Sequence, residues 1–327
     1  MYMADAKARR WAIFTAMSGT FFVVSGGAFA SLGVVLPAMV QDLKWSWTEA
    51  GFGYTLLGIA CGVASFMPAY LIRAIGIRST LAIGALIMVS GFLIMAATQT
   101  VQLYLLGATM IGIAFAFVST VPGTHILTDL FKNRSTILGA YFTIGAMGGV
   151  VGPQLYHLND VLTHNWRTYW VGFAVLGALA GLFAVLVAPR RRETPKHEEA
   201  PPEIASAPEV VEGLKDWTVR RALATPQYYV IVGGYTSYLL VNTTTHGFGV
   251  QHLIERGVSA VEAGLMMSIE AFVGAAVGLI GGVMGEKVPA KHLMMVSLFA
   301  VTIGAWGLAE ARDWPLMSLY IIGVGIG

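Results

Sequence analysis

Cysteine is almost absent from this chain, charge is scarce, and the apolar stretches lack period-two alternation; each shortage closes off a class of answers. The lone Cys61 permits no intramolecular disulfide, and no Cys or His cluster has the spacing of a metal site. Charged residues are only 12% of the 327, against 56% hydrophobic, and mean hydropathy is +0.69, so the solvent of most of this chain is lipid. A formal net charge of +2 offers no basic excess for a nucleic-acid partner. No nucleophile and base stand in a catalytic arrangement. GFGYTLLG at 51–58 lacks both the G-x-G-x-x-G spacing and the strand-turn-helix context of a phosphate loop. The sequence therefore points away from an enzyme and calls for no cofactor or metal.

What the chain has is long apolar runs. About 20 residues cross ~30 Å of hydrocarbon, and runs of that order lie at Trp11–Val40, Ala50–Ile72, Leu81–Ala97, Leu103–Leu127, Ile137–Leu158, Tyr169–Ala188, Tyr228–Val250, Ala260–Met284 and Leu293–Ala309. A tenth starts at Pro315 and stops at Gly327, so the expectation is an incomplete chain that ends inside a membrane segment. Lipid cannot satisfy free backbone amides, and continuous runs without alternation exclude a barrel, which leaves helices. The stretch GAYFTIGAMGGVVGP at 139–153, with five glycines, then belongs to a helix in which small residues let neighbouring backbones approach.

Of the 20 basic residues, 16 fall at the N-terminus and in every second loop after it; Lys44, Arg167, Arg256 and Arg312 stand singly in the others. That bias makes the N-terminus cytoplasmic and suits a multi-pass protein of the plasma (inner) membrane. A cleaved signal peptide ending near Ala28-Phe-Ala30 is the competing reading of the first run, and its unbroken extension to Val40 argues against it. An internal repeat adds to this. Ser46-Trp-Thr-Glu49-Ala50-Gly51 and Ser259-Ala-Val-Glu262-Ala263-Gly264 share S-x-x-E-A-G at an offset of 213 residues, each reading as a capping box at the start of a span. The same offset carries Arg73 to Glu286, in the matching loop. The expected organisation is a six-helix half over 1–188, a charged, Pro- and Ala-rich cytoplasmic linker over 189–225, and an incomplete parallel half over 226–327.

Six helices, a long charged loop and a second six begun in parallel resemble the major facilitator superfamily, an all-α membrane bundle. Gly139, Gly148, Gly152 and Pro153 match the superfamily's span 5 antiporter motif G-x8-G-x3-G-P, although Tyr156 and His157 stand where its double glycine belongs. GVMGEKVPAK after span 8 is similar to its G-x-x-x-D-[RK]-x-G-[RK]-[RK] loop through Gly282, Glu286, Lys287 and Lys291. AYLIRAIGIRS occupies the equivalent loop after span 2, keeping Gly76 and Arg78 but placing Arg73 where the acid belongs. GVVLPAMVQDLKWSWTEAG and HLIERGVSAVEAG look similar to the monocarboxylate and oxalate/formate branch. The resemblance implies a monomeric transporter of small organic anions, by proton symport or exchange, with spans 1, 4, 7 and 10 around a central cavity.

Glu270 alone among 18 acidic residues falls near the middle of a span, which marks it as a proton or substrate site, or else a buried hydrogen-bonding group. Gly274, Gly278 and Gly282 follow it at four-residue steps. Span 7 carries a polar stripe of Tyr235, Tyr238, Asn242, Thr245, His246 and Gly249, either a substrate wall or interhelical hydrogen bonds. His246 adds a group that titrates near neutral pH. His125 and Asp129, four apart, share a helix face at the cytoplasmic end of span 4, where Asp129 would pair with Arg73 as a charge-swapped gate or simply stay solvated. No Lys or Arg lies within spans 1 to 9, although an anion in a dry cavity wants a cation. The first reading is therefore a proton-coupled or exchanging transporter of small organic acids. Efflux of amphiphilic or cationic compounds, and a non-transporting fragment or sensor, stand beside it.

Overall fold

The computed structural model describes residues 2–189, 221, 223–285, 287–311 and 314–327, and every regular element among them is helical. Most of the expected connector at 189–225, and Glu286 of the span 8 loop, lie outside the described residues. The first run is one path: α1 (Tyr2–Ser25), a π turn over Gly26–Ala30, and α2 (Ser31–Leu43). It stays helical through Ala28-Phe-Ala30.

The second run breaks into α3 (Trp47–Ala64) and α4 (Met67–Ile75), bent by 45°. Pro68, in the first turn of α4, has no amide to continue the ladder, and Ser65 turns its hydroxyl back on the Gly62 carbonyl at 2.7 Å. Gly76, at φ +86°, ends α4 in a backbone conformation open chiefly to glycine. After α5 (Ile77–Ala97), the fourth run splits at Ser119 into α6 (Val101–Val118) and α7 (Thr120–Leu130). Pro122 cannot bond the Val118 carbonyl four residues back, and Thr20 Oγ1 takes that carbonyl at 3.1 Å instead.

Next come α8 (Arg134–Thr163), α9 (Trp166–Val187), α10 (Pro226–Glu255), α11 (Ala260–Met284), α12 (Ala290–Ala309) and α13 (Trp314–Ile326). By length and composition seven helical paths qualify as spans, or eight with the bent pair. The difference from nine runs is α10, which at 30 residues is long enough but is interrupted by Tyr, Ser, Asn, Thr and His. Both capping boxes form: Glu49 N–H reaches Ser46 Oγ at 3.2 Å and Glu262 N–H reaches Ser259 Oγ at 3.2 Å, each glutamate returning to its serine amide. They lie at one end of the bundle, called here the capping end.

The glycines of 139–153 pack two helices onto α8. At Gly148 a Cβ would overlap the Phe22 carbonyl, at Gly152 the Ser31 hydroxyl, and at Gly139 it would stand 2.8 Å from Gly282 Cα. The first two seat α8 on the π turn of the first span and the third seats it on α11. Pro153 is buried inside the helix. At the capping end Asp42 accepts from Arg167 at 2.9 Å and Trp166 Nε1 at 3.1 Å, while Arg167 also donates to the Thr98 carbonyl, tying α2, α5 and α9 together.

Candidate functional site

Two helices in a hairpin build the site. The α10–α11 turn is centred near residue 257, so His246 and Glu270, each about 12 residues from it, reach the same depth, and Nε2 of His246 comes within 3.3 Å of Oε2 of Glu270. Ten residues of α11 precede Glu270, about 15 Å at 1.5 Å per residue, so the pair sits near the middle of a ~30 Å apolar layer. Glu270 is 3% exposed and is the only charged side chain among the described residues to be buried. Its Oε2 makes no hydrogen bond of good geometry, so the off-line approach of His246 is what that oxygen faces.

The other imidazole nitrogen fixes the proton count. His246 Nδ1 lies 2.9 Å from the Asn242 carbonyl one turn back, and a carbonyl only accepts, so Nδ1 carries a hydrogen. Nε2 is then bare in neutral histidine and protonated in imidazolium. Facing it, Oε2 accepts when Glu270 is ionised and donates when it is not. One proton satisfies the pair in either arrangement, and removing it leaves a bare buried carboxylate, which is costly. Chemically, the arrangement is one that can share a single proton between the two side chains.

Around it stand Tyr238 of α10 and Tyr320 of α13. Tyr320 is buried, and Gly325 of the same helix packs onto the Glu270 carbonyl. On the far side of α10, Gly33 of α2 lies against the His246 carbonyl so closely that a Cβ would overlap its oxygen, and Gly247 packs on the Tyr54 ring. Tyr54 is held in turn by a 3.0 Å bond to the Phe29 carbonyl.

The remaining sequence candidates divide. Asn242 contributes its backbone to the pair, whereas Thr245 turns to a cavity of about 340 Å³ between α10 and α12. Tyr235 is exposed, its ring 6.0 Å from that of Tyr238. Gly282 faces α8, as does Gly278, while Gly274 faces α13. At the end opposite the capping boxes, His125 and Asp129 are 4.0 Å apart and both more than half exposed, and among the described residues Arg73 makes no ion pair with Asp129. The solvated reading of that set fits this arrangement. Arg78 lies in the first turn of α5, and Lys287 and Lys291 are exposed.

Sequence reasoning missed Gly33, Tyr54 and Tyr320. Gly33 had no signal apart from its place in an apolar run. Tyr320 lay in a run judged too short to span. The His246–Glu270 contact had a signal, near-equal distance from a tight antiparallel turn, that was there to be used.

Comparison with known proteins follows from this geometry. A family model described as the Major Facilitator Superfamily matches residues 17–327. The chain is 23% identical to the uncharacterized transporter YycB of Bacillus subtilis, a match covering 92% of this chain and 71% of that protein. It is likewise 23% identical to an MFS-type transporter of Aspergillus fumigatus, over 93% of this chain and 70% of that one. Among solved structures, a bacterial homolog of the human lysosomal transporter Spinster, in an inward-facing and unoccupied conformation, superposes with a TM-score of 0.65 at 16% identity, covering 98% of this chain and 72% of the other. At that identity the likeness speaks for the fold.

Proposed function

The chain belongs to the Major Facilitator Superfamily, whose members are membrane transporters rather than enzymes, and from that premise we propose that it is a proton-coupled secondary transporter of a small organic acid. The buried His246–Glu270 contact at 3.3 Å carries this reading. With one proton the pair is neutral as a unit. A carboxylate substrate that takes the imidazolium from Glu270, while Glu270 takes a second proton, adds one negative and one positive charge together. The loaded site then crosses the membrane without net charge, which avoids the cost of carrying an ion through hydrocarbon. The polar stripe of α10, with Tyr238 and Asn242, forms the wall along which substrate reaches the pair.

In this reading α1 to α9 form one six-span half, α10 onward belongs to the second, and the two rock about the site, with the capping end outside and the N-terminus cytoplasmic. The protein works as a monomer in the plasma (inner) membrane.

One observation favours a second reading. The sole buried charge among the described residues is an acid, so a cationic, amphiphilic substrate displacing the proton from Glu270 would make the protein an exporter. Proteoliposomes holding the protein and a trapped pH dye decide between the two. Challenge with lactate, formate or oxalate is expected to move protons inward with the anion, and Glu270→Gln to abolish that movement. Proton movement evoked by hydrophobic cations and by none of the anions would reject the organic-acid reading in favour of export. Flux undiminished in Glu270→Gln would reject the proton site itself.

A further inference from the structure

Across from the hairpin, the first span, α6 and α8 carry a row of aromatic rings packed edge to face. The ring of Phe29, in the π turn, lies 5.2 Å from that of Phe115, Phe115 lies 5.8 Å from Phe21, and Phe21 lies 5.7 Å from Phe142. Rings needed only for packing are covered, as Phe21 and Tyr141 are; Phe29 and Phe115 are half-buried and Phe142 is exposed. Two contacts fix where the row stands. At one end the Phe29 carbonyl accepts from the Tyr54 hydroxyl at 3.0 Å, and the Tyr54 ring meets Gly247, the neighbour of His246. At the other end Thr143, next to Phe142, donates at 3.0 Å to the carbonyl of Ala275, which follows Glu270 on α11. Those two points on the hairpin bracket His246 and Glu270 in depth, so the rings strung between Phe29 and Phe142 stand level with the pair on the opposing side of the interface. Phe29 owes its place to the π turn, an insertion in the helical ladder of a kind that recurs at functional sites.

We propose that the transported acid carries an aromatic ring, its carboxylate meeting the His246–Glu270 pair and its ring resting on Phe29 and Phe115. The inference rests on the reading of that pair as the site of an organic acid and names the class of acid it takes. A lactate-sized acid would occupy the pair and leave both rings without a partner, whereas an acid bearing a ring extends the edge-to-face row. The scarcity of charge points the same way. Among the described residues no lysine or arginine is buried, so an anion finds no cation in the interior beyond the imidazole of His246, and apolar area removed from water must supply much of its affinity.

Titration calorimetry of the purified protein in detergent, with the heats of empty micelles subtracted, compares lactate with 3-phenyllactate, the same acid bearing a ring. Phenyllactate is expected to bind about tenfold more tightly, the size of one good ring contact. Phe115→Ala should remove most of that advantage and leave lactate binding unchanged. Should Phe115→Ala fail to fold, Phe115→Leu and Phe29→Leu, which keep apolar bulk without a ring, decide in its place: an advantage cut several-fold supports the inference and an undiminished one overturns it. Phe183→Leu, which removes an exposed ring of α9 outside the row, should behave as the unsubstituted protein does. Equal affinity for the two acids in the unsubstituted protein also overturns the inference. If lactate moves protons into proteoliposomes and Glu270→Gln stops it, while phenyllactate binds no more tightly than lactate, only the present inference falls. If neither acid binds and the hydrophobic cation tetraphenylphosphonium does, the organic-acid reading falls with it.

Discussion

At the scale of single residues, the energetics of the site are those of a buried pair, and the cost of breaking it depends on which partner is removed. Deleting one member of a buried ion pair typically costs about 3–5 kcal/mol, because the other is left charged and alone. His246→Ala strands an acid that is 3% exposed, whereas Glu270→Gln keeps the shape and leaves a neutral imidazole already bonded through Nδ1 to Asn242. Thermal unfolding in detergent should therefore rank His246→Ala as the more damaging, with His246→Ala combined with Glu270→Gln recovering most of the loss. Equal loss from both single variants, adding in the double, would mean that the two side chains do not interact. Each partner was legible in the sequence by its rarity, an acid in mid-span and a histidine in a polar stripe. Their meeting was legible only through their near-equal distance from the α10–α11 turn, because apolar periodicity says which face a residue occupies but not the register of two helices. Arg73 illustrates the opposite limit. Its departure from a motif suggested a partner in Asp129, and among the described residues the contact Asp129 makes is with His125, at 4.0 Å, between exposed groups that gain little from pairing.

At the scale of elements, helix existence was written in the apolar runs and helix continuity was not. The breaks at Ser65, Ser119 and the Gly26–Ala30 π turn fall inside runs that read as uniform. The breaks at Ser65 and Ser119 each precede a proline, Pro68 and Pro122, whose missing amide interrupts the ladder, and at the second Thr20 of the first span bonds the freed Val118 carbonyl. The glycines behave in the same two ways. Gly148→Ala forces a methyl into the Phe22 carbonyl and should lower stability by about 1–3 kcal/mol, the usual cost of overpacking. Gly172→Ala in α9, with nothing within 4 Å of its Cβ, should instead raise it by up to about 1 kcal/mol through helix propensity. Melting temperatures of the two purified variants check this. A matching fall in both would show that glycine density in this chain reflects backbone flexibility and not close packing.

At the scale of the whole molecule, the two candidate halves touch along two unlike seams, and the contrast says which one opens. Between α8 and α11 the contact runs the length of both helices. Ser135 donates to the Gly282 carbonyl at 2.7 Å, Thr143 to the Ala275 carbonyl at 3.0 Å, and Gln154 to Ser268 at 2.8 Å, with Gly139 against Gly282 at one end. Hydrogen bonds in hydrocarbon have no water to replace them, so a seam bonded at three depths resists parting. The seam of α10 with α2 and α3 runs from mid-depth, where Gly33 lies against the His246 carbonyl, towards the capping end, where the Phe248 ring covers Gly51, and these contacts are steric rather than directional. Rocking should therefore pivot on the first seam and open the second. In a Cys61→Ser background, cysteines at Thr143 and Gly278, where a Cβ at 278 would stand 3.6 Å from Thr143 Oγ1, should join and leave transport largely intact. Cysteines at Gly51 and Phe248, bridged by a short bis-methanethiosulfonate that forms a disulfide with each, should stop transport until a reductant releases them. Arrest by the first bridge together with free turnover under the second would place the pivot on the α10 seam and reverse the sense of the motion.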